Sequence, residues 1–249
     1  MNDLEIEQEA PPPCAVSLEQ LVAEISQLPA NWHLAGTMSE NILRAIARLC
    51  GERRVACSAE TGSGKTTLLF SHLSRDHKIF AKEGDNHSIS VVRDSPLLNR
   101  NTVQFIEGPT QVTLPQYKFA EKLQLVLLDG PHGYPFPELE YYYFFPHLET
   151  NALFIVDDIN IPTVHRLFEF LREDDMFRLL EVVDQTAFFV RTEAPLFSPF
   201  GDGWWMQGYN KKRFPVSAKA SLIDRLRRCA SRLLPRPMKQ VVKRLRRFG

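Results

Sequence analysis

The sequence predicts a doubly wound α/β fold: a mostly parallel sheet with helices on both faces, closed by an antiparallel C-terminal hairpin. Three observations carry that expectation. Five short apolar runs alternate with helical patterns between residues 54 and 172, as βαβ units do. Two further strand-like runs, Phe177 to Val183 and Ala187 to Thr192, are separated only by Asp184-Gln185-Thr186, which reads as a hairpin. A chain of 249 residues with 44% hydrophobic and 24% charged residues suits one such domain with appended segments.

The elements follow in order. Residues 1–16 are an acidic arm containing Pro11-Pro12-Pro13, expected to be flexible. Residues 17–53 hold two helices. In the first, Leu18, Leu21, Val22, Ile25 and Leu28 share one face and Ser17 with Gln20 forms a capping box; the second places Ile42, Leu43, Ile46 and Leu49 together. The sheet domain spans 54–193, with strands expected at Arg54–Ala59, Lys78–Lys82, Thr102–Ile106, Gln124–Leu128 and Leu153–Val156. Helices are expected at Thr66–Leu73, Asn86–Arg93, Glu138–His147 and Thr163–Arg172. A Gly- and Trp-rich extension, 194–210, and a basic tail, 211–249, complete the chain.

The formal net charge is zero, but residues 211–249 hold 14 Lys+Arg against one acid, Asp224. The tail therefore carries +13 and residues 1–210 carry −13, which makes the tail a separate electrostatic object. Leu222, Leu226, Cys229 and Leu233 fall on one helical face with arginines opposite. Such a stretch suits an anionic membrane surface, an anionic polymer or a partner, or else docking on the chain's own acidic body. Aromatics are almost absent from it, so no sequence-specific nucleic-acid recognition is expected. Four cysteines in no C-x-x-C spacing suggest neither zinc nor a redox pair. The acidic N-terminus does not read as a secretory signal, and no apolar run reaches the ~20 residues of a membrane span. The expected location is the cytoplasm, with the tail allowing peripheral membrane contact.

Residues 59–67, AETGSGKTT, admit two chemistries. Read from Ala59, they satisfy a relaxed P-loop, in which Gly64, Lys65 and Thr66 would bind phosphates and Asp129 a magnesium ion. From Glu60, they are Glu-x-Gly-x-Gly, a loop that admits close backbone approach of a ligand at a helix N-terminus. In open α/β sheets ligands sit beyond the carboxyl ends of the strands. The groups found there are Glu60-Thr61-Gly62-Ser63-Gly64, Glu83-Gly84-Asp85, Glu107-Gly108-Pro109-Thr110, Asp129-Gly130-Pro131-His132 and Asp157-Asp158. An acid about ~20 residues beyond a glycine loop suits ribose hydroxyls, and Asp129, Asp157 and Asp158 could converge on one divalent cation. Plainer readings exist for the same residues: Asp157-Asp158 could cap the helix begun by Pro162, His132 could be a loop histidine, and Tyr141 to Phe145 reads as helix packing on the sheet.

From about Trp32 to Thr192 the chain resembles class I S-adenosylmethionine-dependent methyltransferases of the methyltransferase domain 24 group. The resemblance rests on E-T-G-S-G (60–64), the acid after the second strand, D-G-P-H-G-Y-P (129–135) and F-I-V-D-D-I (154–159). It implies that Gly62 and Gly64 border the methionine part of the cofactor, that Glu83 or Asp85 binds the ribose, that the segment Glu107 to Thr110, with Gly108, flanks the adenine, and that Glu60 and Asp129 belong to the same cofactor site. It further implies a magnesium ion held by Asp129, Asp157 and Asp158, with His132 of the D-G-x-H signature as general base. Lys65 and Thr66 would then match the P-loop pattern by coincidence. Where many members have Gly-Gly before the fifth strand, this chain has Thr150-Asn151. The implied activity is O-methylation of a small molecule or sugar, with or without metal assistance. Two alternatives remain open: a P-loop ATPase or kinase, and a non-catalytic methyltransferase-like module that binds a membrane or polyanion. A homo-oligomer is compatible with each.

Overall fold

A computed structural model describes residues 17–29, 32, 38–51, 53, 55–84, 87–198, 200, 201 and 203–213. The chain divides into two units, 1–201 and 202–249. In the first, helices α1 (Leu18–Ser26) and α2 (Glu40–Gly51) precede β1 (Val55–Thr61), α3 (Lys65–Leu73), β2 (Ser74–Ala81), α4 (Ser88–Asp94) and β3 (Val103–Glu107). Next come α5 (Thr110–Gln116), β4 (Leu123–Leu128), α6 (Phe136–Phe144), β5 (Leu148–Val156), α7 (Pro162–Glu173), β6 (Phe177–Val183) and β7 (Thr186–Arg191). The sheet order is β3-β2-β1-β4-β5-β7-β6. Pairing is parallel from β3 to β5, and β7 runs antiparallel to both β5 and β6. Strand order reverses between β1 and β4, where doubly wound sheets open a ligand crevice.

Helices cover both faces of the central strands, so these strands are apolar on both sides. On β5, Ala152, Phe154 and Val156 face one core together with Phe144, Leu167 and Phe189. Leu153 and Ile155 face the other, with Ile42, Leu43, Leu68 and Phe188. The Ser17–Gln20 capping box is present, with both hydrogen bonds at 3.2 Å. Tyr141 stacks on Phe145 at 5.1 Å and meets Phe154, Phe170 and Phe177 edge-on, so the aromatic run packs on the sheet as expected.

Several boundaries differ from the sequence reading. β2 begins at Ser74 rather than Lys78 because His77, fully buried, finds polar partners inside. β5 begins at Leu148 rather than Leu153; its exposed residues Glu149 to Asn151 bulge where the register against β4 shifts between Leu123 and Leu125. The hairpin loop is shorter than expected, since Thr186 pairs with Val183. α5 has no counterpart in the sequence reading: it is seven residues long and contains Pro115, a pattern that local propensity disfavours and the burial of Leu114 sustains. The second unit contains a single 3₁₀ turn, Trp204–Met206, and α8, Gly208–Arg213, among its described residues. Among the described residues no helix is long and apolar enough to cross a membrane. The 1–16 arm and residues 214–249 of the tail lie outside the described residues.

Candidate active site

A cavity of about 700 Å³ opens at the carboxyl ends of the parallel strands, lined among others by Gly62, Gly64, Gly108, Asp129, His132 and Asp158. That volume lies within the ~300–1,000 Å³ typical of small-molecule sites. The hydroxyls of Ser63 and Thr110 lie on its wall and are buried with no hydrogen-bond partner among the described residues. Orphaned polar groups on a concave wall suit a polar ligand.

The loop after β1 is shaped by glycine and held from beneath by a carboxylate. Gly62 has φ 88°, and a Cβ there would come within 2.5 Å of the Asp129 carbonyl oxygen, so neither the conformation nor the close approach of the loop after the neighbouring strand β4 admits a side chain. Glu60 does not face the cavity. Its side chain is 1% exposed and accepts hydrogen bonds from Thr66 Oγ1 at 2.8 Å and from Thr67 Oγ1, and lies 3.1 Å from His77 Nε2. The other imidazole nitrogen meets Ser58 Oγ at 2.8 Å. This buried network ties β1, β2 and the first turn of α3 together.

The same geometry speaks against the P-loop reading. Lys65 Nζ donates to the Leu28 carbonyl beyond α1 at 3.2 Å, and the Thr66 hydroxyl is turned down onto Glu60. Both residues line the cavity, but their polar ends are taken up by the protein itself.

At the ends of β2 and β3 the acids are also engaged. Glu83 accepts from the Ile89 and Ser90 amides at 2.8 and 3.3 Å and from Ser90 Oγ at 2.7 Å, satisfying the open N-terminus of α4. Burial alone would raise its carboxyl, but the bonds from Ser90 and the two amides hold it below the usual carboxylate range. Glu107 pairs with Arg93 at 2.5 Å on the surface. Gly108, next to it, lines the cavity. Asp85 lies outside the described residues.

Beyond β4 and β5 the acids converge instead. His132 Nε2 lies 3.2 Å from Asp158 Oδ2 and 3.7 Å from Asp129 Oδ1, and one ligand atom from each of the three lies within 4.8 Å of the others. The Thr163 hydroxyl of α7 donates to the His132 carbonyl, which fixes the loop to the next helix. Asp157 stands apart: it accepts from the Thr186 hydroxyl, and its amide donates to the Leu128 carbonyl at 3.0 Å. The Asp157-Asp158 pair does not cap α7, whose N-cap is Ile161 with no side-chain bond. Burial raises the Asp129 carboxyl, opposed by His132 and reinforced by Asp157 and Asp158. The Asp129 carboxylate in turn raises His132 above its ordinary value, against the pull of burial. Two carboxylates and an imidazole this close fit one divalent cation, with the oxygens suiting magnesium or manganese and the nitrogen suiting transition metals.

One participant escaped the sequence reading. Glu140 of α6 is 2% exposed and accepts from Thr61 Oγ1 at 2.9 Å. The available signal was its setting: an acid inside the apolar and aromatic run LEYYYFF has to be buried or to break the helix face.

Comparison with known proteins agrees with this architecture. Residues 59–159 match the family model described as Methyltransferase domain, Methyltransf_24. Among solved structures, the chain resembles the O-methyltransferase TomG from Streptomyces achromogenes, solved with SAM, at TM-score 0.52 and 14% identity over 70% of this chain and 90% of that one. It likewise resembles the O-methyltransferase from Bacillus cereus in complex with SAH, at TM-score 0.51 and 14% identity over 72% of this chain and 92% of that one. No curated protein matches the sequence. With the Gly62 loop, the β1/β4 crevice and the antiparallel β7 in place, residues 59–159 match the Methyltransf_24 methyltransferase domain on a sheet of the same fold as these O-methyltransferases.

Proposed function

We propose that this protein transfers the methyl group of S-adenosylmethionine to a hydroxyl of a small molecule or sugar, assisted by a divalent cation such as magnesium. The observation that carries the reading is the convergence of Asp129, His132 and Asp158 on the wall of the cavity that the Gly62–Gly64 loop opens. The likeness to two O-methyltransferases, solved with SAM and with SAH, supports the oxygen acceptor and the cofactor. Cavity volume supports a small acceptor over a polymer, which would have to present a single group at the rim.

When bound, S-adenosylmethionine supplies an electrophilic methyl on its sulfonium, so the protein's tasks are alignment and proton removal. Gly62 and Gly64 admit the cofactor close to the backbone, and the orphan hydroxyls of Ser63 and Thr110 offer it hydrogen bonds. Glu83 contributes through the loop it braces, since its own carboxylate is committed to α4, whereas the Glu107 carboxylate is taken up by Arg93 on the surface. His132 accepts the acceptor's hydroxyl proton as the oxygen gains the methyl, and the neighbouring Asp129 and Asp158 stabilise the resulting imidazolium. Asp129 and Asp158 would also hold the cation, whose chemistry there is to favour the ionised form of the acceptor hydroxyl. Asp157, joined to Thr186, orients the Asp158 backbone.

The test is methyl transfer from isotopically labelled S-adenosylmethionine to a panel of phenolic, catecholic and sugar hydroxyls, with magnesium and with chelator. Labelled methyl ether formed only with metal supports the full reading, ether formed equally in chelator removes the cation, and label found only on nitrogen or carbon acceptors contradicts oxygen transfer.

For the tail we infer an anionic membrane surface as the partner. Support comes from its net charge of +13 and from Trp204 and Trp205, each half-exposed, since tryptophan favours membrane interfaces. Co-sedimentation of the full chain with phosphatidylserine vesicles but not phosphatidylcholine vesicles is expected, and binding to neither, or equal binding to both, would contradict it.

A further inference from the structure

Glu140 is a carboxyl side chain sealed in the interior that none of the roles above employs. Its Oε2 accepts from the Thr61 hydroxyl at 2.9 Å, and that hydroxyl accepts from the Asp129 amide at 3.1 Å. A hydrogen-bonded chain therefore runs from the loop after β4, through the last residue of β1, to α6. The second oxygen, Oε1, lies against the next residue of the β4 loop, where a Cβ on Gly130 would come within 2.1 Å of it. Glycine at 130 is what lets the carboxyl reach this place. Oε1 and the Thr110 hydroxyl at the start of α5 are both buried without a hydrogen bond of good geometry among the described residues, and Thr110 lines the cavity. One side chain thus meets the end of β1 and the segments that follow β3 and β4.

We propose that Glu140 is a positioning residue of the cofactor site, holding these three segments at fixed separation and directing the Thr110 hydroxyl toward the ligand. The proposal rests on the methyltransferase reading of the cavity. Burial pushes the Glu140 carboxyl up to about 7, with the Thr110 and Thr61 hydroxyls opposing. In its neutral form one oxygen accepts from Thr61 while the other donates to Thr110, leaving the Thr110 proton for the ligand. Glutamine reproduces this pattern of one acceptor and one donor; alanine removes both and leaves Thr61 and Thr110 unpaired.

The experiment is calorimetric titration of the full chain with S-adenosylhomocysteine in wild type, Glu140→Gln, Glu140→Ala, Thr110→Val and the Glu140→Ala/Thr110→Val double variant. Glu140→Gln should bind within about 3-fold of wild type. Glu140→Ala and Thr110→Val should each weaken binding about 10-fold or more, in line with the loss of a buried hydrogen bond to the ligand. The double variant should lose no more than the worse single one, because both changes remove the same contact. In turnover assays KM for S-adenosylmethionine should rise more than kcat falls. A Glu140→Gln variant as impaired as Glu140→Ala, or additive losses in the double variant, would overturn the proposal. Should Glu140→Ala not fold, Glu140→Gln and Thr110→Val decide alone, since both keep the side-chain volume: retained binding in the first with loss in the second supports it, and the reverse overturns it. A wild-type chain that binds no S-adenosylhomocysteine fails the methyltransferase reading itself; a wild type that binds, with Thr110→Val unaffected, fails this proposal alone.

Discussion

The two sides of the cavity treat the same feature, an acid at a strand end, in opposite ways. On the β1, β2 and β3 side the carboxylates are consumed by structure: Glu60 holds Thr66, Thr67 and His77, Glu83 closes the start of α4, and Glu107 pairs with Arg93. On the β4 and β5 side only Asp157 is consumed in this way, while Asp129 and Asp158 crowd around the single imidazole of His132. Converging acids raise one another's pKa and cost stability unless a cation or proton sits among them. The difference separates a side that shapes backbone for close approach of a ligand from a side that keeps charge available for chemistry.

That contrast can be broken at either end. The largest expected effect is on turnover: His132→Ala should lower kcat by roughly 10²–10⁴-fold, the range for a general base, while S-adenosylhomocysteine affinity stays within a few-fold. A comparable loss of affinity in that variant would move His132 to the binding side. Next comes Glu60→Ala, which strands three buried partners and should cost about 3 kcal/mol, read as a fall in the denaturant midpoint; an unchanged midpoint would mean that the network is not taut. Glu140 gives a pH signature. Its folded value of about 7 stands above its ordinary 4.5, so between those values the native state binds more protons than the unfolded one and stability falls as pH rises. Wild type should therefore lose up to ~3 kcal/mol relative to Glu140→Gln between pH 4.5 and 7, levelling off above; a constant difference across that window would contradict a neutral carboxyl. The smallest effect belongs to Glu107→Ala, whose exposed ion pair with Arg93 should be worth under ~1 kcal/mol and whose loss should leave cofactor affinity unchanged.

The sheet was legible because its signals are local. Alternating apolar runs such as LQLVLL before Asp129 need both faces buried, and the three residues between Phe177–Val183 and Ala187–Thr192 left the chain little choice but to turn back. α5 was illegible for the converse reason, since Thr110–Gln116 is helical only because Leu114 is drawn into the core. At the site, sequence could place acids at strand ends but could not tell the engaged from the available. Whether Glu60 or Asp129 meets a partner depends on His77 of β2 or Thr67 of α3 arriving from another element. The dual reading of residues 59–67 was likewise undecidable from spacing, and it turns on where Lys65 points, which the position of Leu28 determines.

The most direct test is therefore at that loop: calorimetric titration with S-adenosylhomocysteine, and separately with ATP and magnesium, of wild type, Lys65→Ala and Gly62→Arg. The account predicts saturable binding of S-adenosylhomocysteine by wild type and by Lys65→Ala, its loss in Gly62→Arg, where a side chain must enter the 2.5 Å gap to the Asp129 carbonyl oxygen, and no heat from ATP. Binding of ATP that disappears with Lys65, in a chain indifferent to S-adenosylhomocysteine, would contradict it.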